Sequence, residues 1–389
     1  MGSDKWYHSR YDIMDEKQYH PGFNMIEKHS LGHRIVVFIN AKVQKKFDQT
    51  NKTQKNTLSL HHIFTTTIMK VTIYERAGEL PELTQGSYFH SRQLMEACQR
   101  TPGHKAYMAV VSDADGRAIA HLLAVERRRK SWLPPFFYSQ VRVLGEGVYT
   151  GGLVDGTLFG MMVDSLTKRL SSRVLFIEIS HLSQKMFGYR QLRQSGYFPV
   201  RWMSIHNSLH SRPPEERITS RMLHRVENAI KRGVTTRVVN SEEDFTAAMK
   251  LLRRHLHFKP RRYMPQQEIF REMTRQGVCR IFITHYHQHV IGCTVVVYSD
   301  GDAYLWYSAS RRKTFATLHP NAVTFWNTIR AVYQEGCQHI RFIDVGLPSR
   351  RNPYRDFILR FGGKEVSGYR WFRISIGWVN KIASWLWRQ

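Results

Sequence analysis

From residue 69 to residue 374 the hydrophobic pattern runs through one order of elements twice, and few architectures satisfy that constraint. The first pass opens with a strand signal over 69–74 and a helix near 90–99. Strands over 107–112 and 118–125 follow, joined by Asp113-Ala114-Asp115-Gly116, whose Asp-Gly pair suits a tight reversal. A helix near 157–172, an apolar strand over 174–179, a helix ending at Gly196 and a strand over 198–205 complete it. After Pro213-Pro214 comes a basic helix over 217–232, stopped by Gly233. The second pass then reads strand 235–239, helices near 241–256 and 265–276, and strands 278–285, 289–298 and 302–309, the last two joined by Asp300-Gly301. It closes with a helix near 320–336, a strand over 339–345, a helix over 354–361 and a strand over 365–374. Such alternation predicts a mixed α/β sheet in each half and a duplicated unit.

Length agrees with two units. At 389 residues the chain exceeds the size, about 250–300 residues, at which a single core stops growing. The expected organisation is an extension over 1–68, a first α/β domain over 69–212, a joining basic helix over 213–234, a second domain over 235–375 and a tail over 376–389. With 42% hydrophobic and 12% aromatic residues, most of the chain is excluded from intrinsic disorder. The extension differs. It holds six of the twenty histidines and a polar tract over 45–60 with no sustained period, and only residues 34–39 read as a strand. It is expected to be poorly ordered, either as a mobile terminus or as an untranslated stretch ahead of a start at Met69.

Lys and Arg number 58 against 31 acids, a net charge of +27. That balance favours polyanionic partners: nucleic acid, pyrophosphate-bearing donors or an anionic membrane surface. Cys98, Cys279, Cys293 and Cys337 show no paired spacing, so neither a zinc site nor a disulfide framework is expected. Without an apolar run of about 18 residues or a signal-peptide pattern, a cytoplasmic chain is the expectation, either free or at the inner face of a membrane.

Four stretches carry a family resemblance: Ala229-Ile230-Lys231-Arg232-Gly233-Val234, Ala303-Tyr304-Leu305-Trp306-Tyr307-Ser308-Ala309-Ser310, Phe342-Ile343-Asp344-Val345-Gly346, and Phe357-Ile358-Leu359-Arg360-Phe361-Gly362-Gly363. In order and spacing the chain resembles the FemAB-like transferases and the related BioF2-like acyltransferases of the GNAT superfamily, over roughly 69–375. The resemblance implies two tandem GNAT-like domains around one cleft. It also implies transfer of an acyl or aminoacyl group to an amine acceptor, with acyl-CoA or aminoacyl-tRNA as co-substrate and no permanently bound cofactor. The acceptor could be a cell-wall precursor of peptidoglycan, held on a lipid. In GNAT folds a backbone N–H beside a bulged central strand can hold the oxyanion.

Departures from the family pattern locate the questions. No Q/R-x-x-G-x-G/A loop follows Ser310, and Arg311-Arg312-Lys313 stands in its place. Ile358 occupies the position after Phe357 where a basic residue is common, which leaves Arg355 or Arg360 as substitutes. Glu227-Asn228 stands where a basic pair usually precedes Ala229, and no long heptad arm interrupts either domain.

An amine attacking an ester or thioester needs a free lone pair, donors for the developing oxyanion and a proton for the leaving group. Asp344, ending an apolar strand just before Gly346, is the candidate carboxylate; a turn aspartate is the competing reading. Tyr307 is the candidate proton donor, against simple strand packing. Arg311, Arg312 and Lys313, with Arg360 and Lys364, are candidates to hold donor phosphates, or form a solvated loop. Tyr149, Gly151 and Gly152, in the glycine-rich stretch 145–156, resemble the loop of FemAB-like first domains and are candidates to line the acceptor cleft, or mark a chain reversal.

Three further features stand apart. The run Arg127–Lys130 beside Trp132 and Phe136-Phe137 suits nucleic acid or a soluble face. His285, His287 and His289 alternate with period two but lack a nearby carboxylate at ligand spacing, so no metal site is expected. In the tail, Trp378, Val379, Ile382, Trp385 and Leu386 fall at helical spacing with Lys381 and Arg388 on the polar side, which suits a membrane interface or docking on the protein itself. The rival to a transferase is a non-catalytic nucleic-acid or tRNA-binding protein with the same fold.

Overall fold

A computed structural model describes residues 69–389 except 131–135, 257–263, 350 and 388–389. The extension 1–68, with the strand expected at 34–39, lies outside the described residues, as do Trp132 and Arg388.

The first half runs β1 (Lys70–Tyr74), α1 (Arg92–Gln99), β2 (His104–Ser112), β3 (Ala118–Lys130), β4 (Phe137–Leu144), β5 (Val148–Tyr149), α2 (Gly156–Leu170), β6 (Phe176–Ser180), α3 (Tyr189–Gln194) and β7 (Phe198–Ser208). Helix α4 (Ser220–Lys231) leads to β8 (Val234–Val238), α5 (Glu242–Leu256), α6 (Gln267–Arg275), β9 (Cys279–Tyr286), β10 (His289–Ser299), β11 (Asp302–Ser310), α7 (Pro320–Gln334), β12 (His339–Phe342), α8 (Pro353–Leu359), β13 (Lys364–Ile374) and α9 (Gly377–Leu386). Local chemistry sets the ends. Ser91 and Asp155 cap α1 and α2 by accepting backbone N–H groups, and Asn352 does the same for α8. At Asp300 (φ 51°) and Gly301 (φ 74°) both turn residues are left-handed, as a two-residue hairpin demands.

The strands form one mixed sheet in the order β1-β2-β3-β4-β6-β13-β7-β12-β11-β10-β9-β8, with β5 added beside β3. The order is symmetric about the β13/β7 pair. β1-β2-β3-β4-β6 on one flank answers β8-β9-β10-β11-β12 on the other, and the parallel pairs β4/β6 and β11/β12 occupy equivalent places. The last strand of each half is exchanged: β13 pairs with β6 and β7 pairs with β12, while β13 and β7 pair with each other from Lys364↔His206 to Phe372↔Phe198. The expected tandem GNAT-like arrangement is present, with its two sheets fused by this exchange.

Two strands went unpredicted, β4 and the two-residue β5. In β4 only Val141 and Val143 supply an apolar face, whereas Arg142 occupies the other, so the alternation is too weak to read. β3 also continues beyond 125, because Arg127, Arg128 and Arg129 pair with Gln140, Ser139 and Tyr138 of β4. Arg128 and Arg129 lie over Phe137 and Tyr138, at 5.4 and 5.6 Å from the ring centroids.

Three cores hold the sheet. One belongs to the first half under α2 and includes Trp371, fully buried on β13, and another packs α4, α7 and α8 on the second half. The third mixes residues of both halves, with α1, α5 and α6 against strands β2, β9 and β10, so the two halves share a hydrophobic face.

Candidate active site

The sheet opens at one place in the second half. β11 pairs with β12 only from Asp302↔His339 to Leu305↔Phe342, yet β11 runs on to Ser310. On its other edge Val295 opposes Tyr307 and Val296 opposes Leu305, so Trp306 is an extra, bulged residue. Bulge and strand divergence coincide. Backbone N–H groups at such a point are released from the ladder and can be aimed at a developing oxyanion.

Two cavities meet along β11. The first, partly open to solvent, is lined by Phe89, His104, Arg127, Trp306, Tyr307 and Asp344, among others. Behind it lies a buried ion cluster drawn from four strands or strand ends. Arg142 Nε stands 3.2 Å from Glu178, its Nη2 lies 3.8 Å from Asp344, and Arg370 bridges the same two carboxylates, at 3.3 Å to Glu178 and in direct contact with Asp344. Arg370 also donates to the Ile343 carbonyl at 3.0 Å and stacks on Trp202, 3.9 Å from the ring centroid. Two cations and two anions thus neutralise one another, which limits the desolvation cost of burying them.

Burial raises the Tyr307 phenol above its ordinary pKa, partly opposed by Arg127, so it keeps its proton through neutral pH. His104 in the same cavity is lowered to about 4 by burial and then by Arg127, and is therefore neutral. His181 is driven well below its usual value by burial and by Arg370 and Arg142.

The second cavity, about 1680 Å³ and open to solvent, lies where β11 ends, between α5, α7 and α8. Ser308, Ser310, Arg311, Arg312 and Lys313 line it together with Asn321 at the start of α7. Cationic side chains and a helix N-terminus share this wall. Arg360 and Arg312 line a smaller adjoining space with Arg225 and His319.

The structure therefore brings Asp344 and Tyr307 together in one cavity, and Arg311, Arg312 and Lys313 together in the next, with Arg360 close by. Lys364 opens β13 opposite His206, away from both. Tyr149 is buried with its hydroxyl donating to the Glu146 carbonyl, and Gly151 (φ 83°) and Gly152 (φ 75°) form the turn after it. Tyr149 pairs with Ala120, seven residues along β3 from Arg127, or about 23 Å. Ile358 is buried in the second core, and Arg355 is tied to the Leu347 carbonyl and to Glu365. His285 lies 3.7 Å from Asp244 and His287 (φ 50°) is in the β9/β10 reversal. Among the described residues no group of three His, Cys, Asp or Glu is placed to hold a metal ion.

Arg142, Glu178, Arg370 and His104 escaped the sequence reading. The available signal was a charged residue inside an otherwise apolar strand, as Glu178 in Phe176-Ile177-Glu178-Ile179 and Arg370 in Tyr369-Arg370-Trp371-Phe372.

Comparison with known proteins now bears on this arrangement. Residues 217–351 match the family model of the acetyltransferase (GNAT) domain. The fold of the described chain is shared with FemX, at a TM-score of 0.54 and 12% identity over 79% of this chain and 96% of that one. It is shared also with the C-terminal domain of a putative lysylphosphatidylglycerol synthetase from Agrobacterium fabrum (0.51; 9% identity; 77% and 90% covered) and with L-PGS from Bacillus licheniformis (0.50; 11%; 79% and 100%). No curated protein matches the sequence. Residues 217–351 thus carry a GNAT-type acetyltransferase domain, and the described chain shares its two-part fold with FemX.

Proposed function

We propose that this chain transfers an acyl or aminoacyl group from a phosphate-bearing donor, acyl-CoA or aminoacyl-tRNA, to an amine acceptor. The observation that carries the reading is β11 itself, whose bulge at Trp306 stands between the cationic cleft at 308–313 and the cavity of Tyr307 and Asp344. Donor phosphates rest against Arg311, Arg312 and Lys313, with Arg360 behind them, and the reactive carbonyl reaches the bulge. The amine nitrogen attacks the carbonyl carbon, backbone N–H groups of the bulge hold the oxyanion, and the C–O or C–S bond breaks. Tyr307 gives its proton to the leaving oxygen or sulfur, and the proton lost by the amine restores it. Asp344, already shared by two guanidinium groups, accepts an N–H of the amine and orients it.

Protection from thermal unfolding by coenzyme A, acyl-CoA and aminoacyl-tRNA tests the donor, since only a ligand that binds the native state raises the midpoint. Protection by aminoacyl-tRNA alone supports the FemAB-like reading and a cell-wall acceptor; protection by acyl-CoA assigns the basic turn to coenzyme A. If none protects, the proposal falls.

Helix α9 favours an acceptor held at a membrane. Its inward side is small or polar: Asn380 donates to the Gly196 carbonyl at 2.9 Å and accepts from Ile374 N–H, and Arg193 donates to Ser384. Trp378, Ile382, Trp385 and Leu386 are exposed on the other side, from 49% to 68%. Val379 of the stripe is half-buried, whereas the four exposed side chains are turned from the protein. Residues 366–387 carry no acid, and Lys381 is exposed on α9, which suits an anionic lipid surface. No described helix is long and apolar enough to cross a membrane.

A further inference from the structure

One row across the sheet lies at the base of two exposed apolar groups. Arg127 of β3 pairs with Gln140 of β4, Gln140 with Phe176 of β6, and Phe176 with Ile374 of β13. β4 begins three residues before this row and α9 three residues after it. β4 runs parallel to β6 and β13 antiparallel to it, so the start of β4 and the start of α9 lie at the same end of the sheet. Gln140 and Ile374 are two strand spacings apart, about 10 Å. Phe136 and Phe137 are 58% and 54% exposed where β4 starts, and Ile376 is exposed just ahead of α9 with its outward stripe. Apolar side chains scattered singly over a surface are ordinary, whereas groups that share one end of a sheet form a patch that marks an interaction site.

The segments that build this end from β4 to α9 are free of acids. No Asp or Glu occurs over 127–145, 165–177, 179–214 or 366–389, which supply β4, the entry to β6, β7, most of β13, and α9. On the flanking strands Glu126 accepts the Tyr107 hydroxyl at 2.9 Å, and Glu75 at the end of β1 pairs with Arg169. Arg128, Arg173 and Lys381 are exposed here, the Arg128 guanidinium lying 5.4 Å from the centroid of the Phe137 ring. Apolar side chains set among cations suit the interface of an anionic bilayer, where the apolar groups enter the acyl boundary and the cations meet headgroup phosphates. Nucleic acid accounts for less of the patch: rings and guanidiniums can stack on bases, but Ile376, Ile382 and Leu386 cannot.

We propose that the paired ends of β3 and β4 are a second membrane contact, which with α9 seats this end of the sheet on an anionic lipid surface. This rests on the membrane reading of α9 and extends it from one short helix to two points that the sheet holds at a fixed separation. A single short amphipathic element binds a bilayer marginally, and two that engage together bind far more tightly. The same row reaches the reaction centre, since Arg127 lines the cavity of Tyr307 and Asp344. An acceptor amine carried on a lipid headgroup is thereby offered to that cavity from the seated end.

Co-sedimentation of the full chain with vesicles of phosphatidylglycerol and phosphatidylcholine tests this, with lipid concentration varied to give a partition coefficient. Phe136→Ser/Phe137→Ser is expected to lower the coefficient at least tenfold, through the loss of two inserted rings. Leu153→Ser is expected to leave it unchanged. Leu153 is 84% exposed, but it follows Tyr149, whose partner Ala120 lies about 23 Å along β3 from Arg127. Unchanged melting midpoints check that the variants fold, and Phe136→Ser alone, ahead of β4, repeats the test without altering a strand residue. Equal binding by the phenylalanine variants and the parent, or an equal loss in Leu153→Ser, would overturn the proposal. So would weaker tRNA binding by Phe136→Ser/Phe137→Ser with vesicle binding intact, which makes this end a nucleic-acid contact. Vesicle binding lost in Trp378→Ser/Trp385→Ser but kept in Phe136→Ser/Phe137→Ser removes the β3/β4 contact alone; a parent chain that binds no vesicle removes α9 as well. Sedimentation needs no turnover, so failure of the transferase reading leaves this result able to decide.

Discussion

Burial keeps the Tyr307 phenol protonated beside the bulge of β11, and the proposed transfer step gives that proton to the leaving group. Tyr307→Phe preserves the ring packed edge-on to Phe270 at 5.5 Å and removes only the hydroxyl. It is expected to lower kcat by about 10²-fold or more with little change in melting temperature, which steady-state kinetics and a thermal scan together check. A second residue-scale expectation concerns acid. Burial lowers His90 to about 3, His104 to about 4 and His121 to about 4. These groups fold neutral, so their contribution is complete above pH 6.5 and is lost as the pH falls towards 4, where the unfolded chain takes up protons that the native state refuses. By pH 5 each accounts for about 2 kcal/mol, and unfolding midpoints measured from pH 7.5 to pH 5 should fall steeply. A flat profile would show that these rings are protonated in the native state.

At the scale of the element, β13 is the strand on which most depends. It lies between β6 and β7, pairs with both, and buries Trp371 completely in the first-half core. Trp371→Ala should cost about 3–5 kcal/mol, read by chemical denaturation, although the residue stands more than 150 positions from most of that core. A chain stopped at Gly363 should lose cooperative unfolding in both halves, because β6 and β7 each lose their shared neighbour; circular dichroism melts of the shortened chain check this. The element scale also shows where reading the sequence succeeds. Helices such as α5 and α7 were legible because their apolar residues recur at helical spacing, and strands such as β9 and β10 because they are nearly unbroken apolar runs, buried on both faces. β4 was not, since the face opposite Val141 and Val143 carries the charged Arg142, whose burial only distant carboxylates make tolerable.

Over the whole molecule the +27 charge, the cationic cleft and the outward apolar stripe of α9 point the same way, towards a polyanionic donor and an anionic surface. The full chain should float with vesicles containing phosphatidylglycerol and not with phosphatidylcholine alone. Replacing Trp378 and Trp385 by Ser should abolish flotation while leaving the melting temperature within about 2 °C, because both side chains are exposed. Flotation that survives the double replacement would remove α9 from the contact.

Sequence alone determined the duplicated order of elements, the tandem α/β class, the polyanion-seeking charge, and the candidates Asp344, Tyr307 and Arg311–Lys313. These are carried by periodicity, turn chemistry and composition, which act over a few residues or over the whole chain. Only the tertiary structure decided the exchange of β7 and β13, the bulge at Trp306 beside a diverging strand, and the cluster joining Arg142, Glu178, Asp344 and Arg370. It also turned α9 apolar side outward and set Tyr149, Gly151 and Gly152 far along β3 from Arg127. Each of these is a pairing between residues tens to hundreds of positions apart. The strength of such a contact is set by the burial and geometry that both partners share, a quantity that neither residue carries in its local sequence.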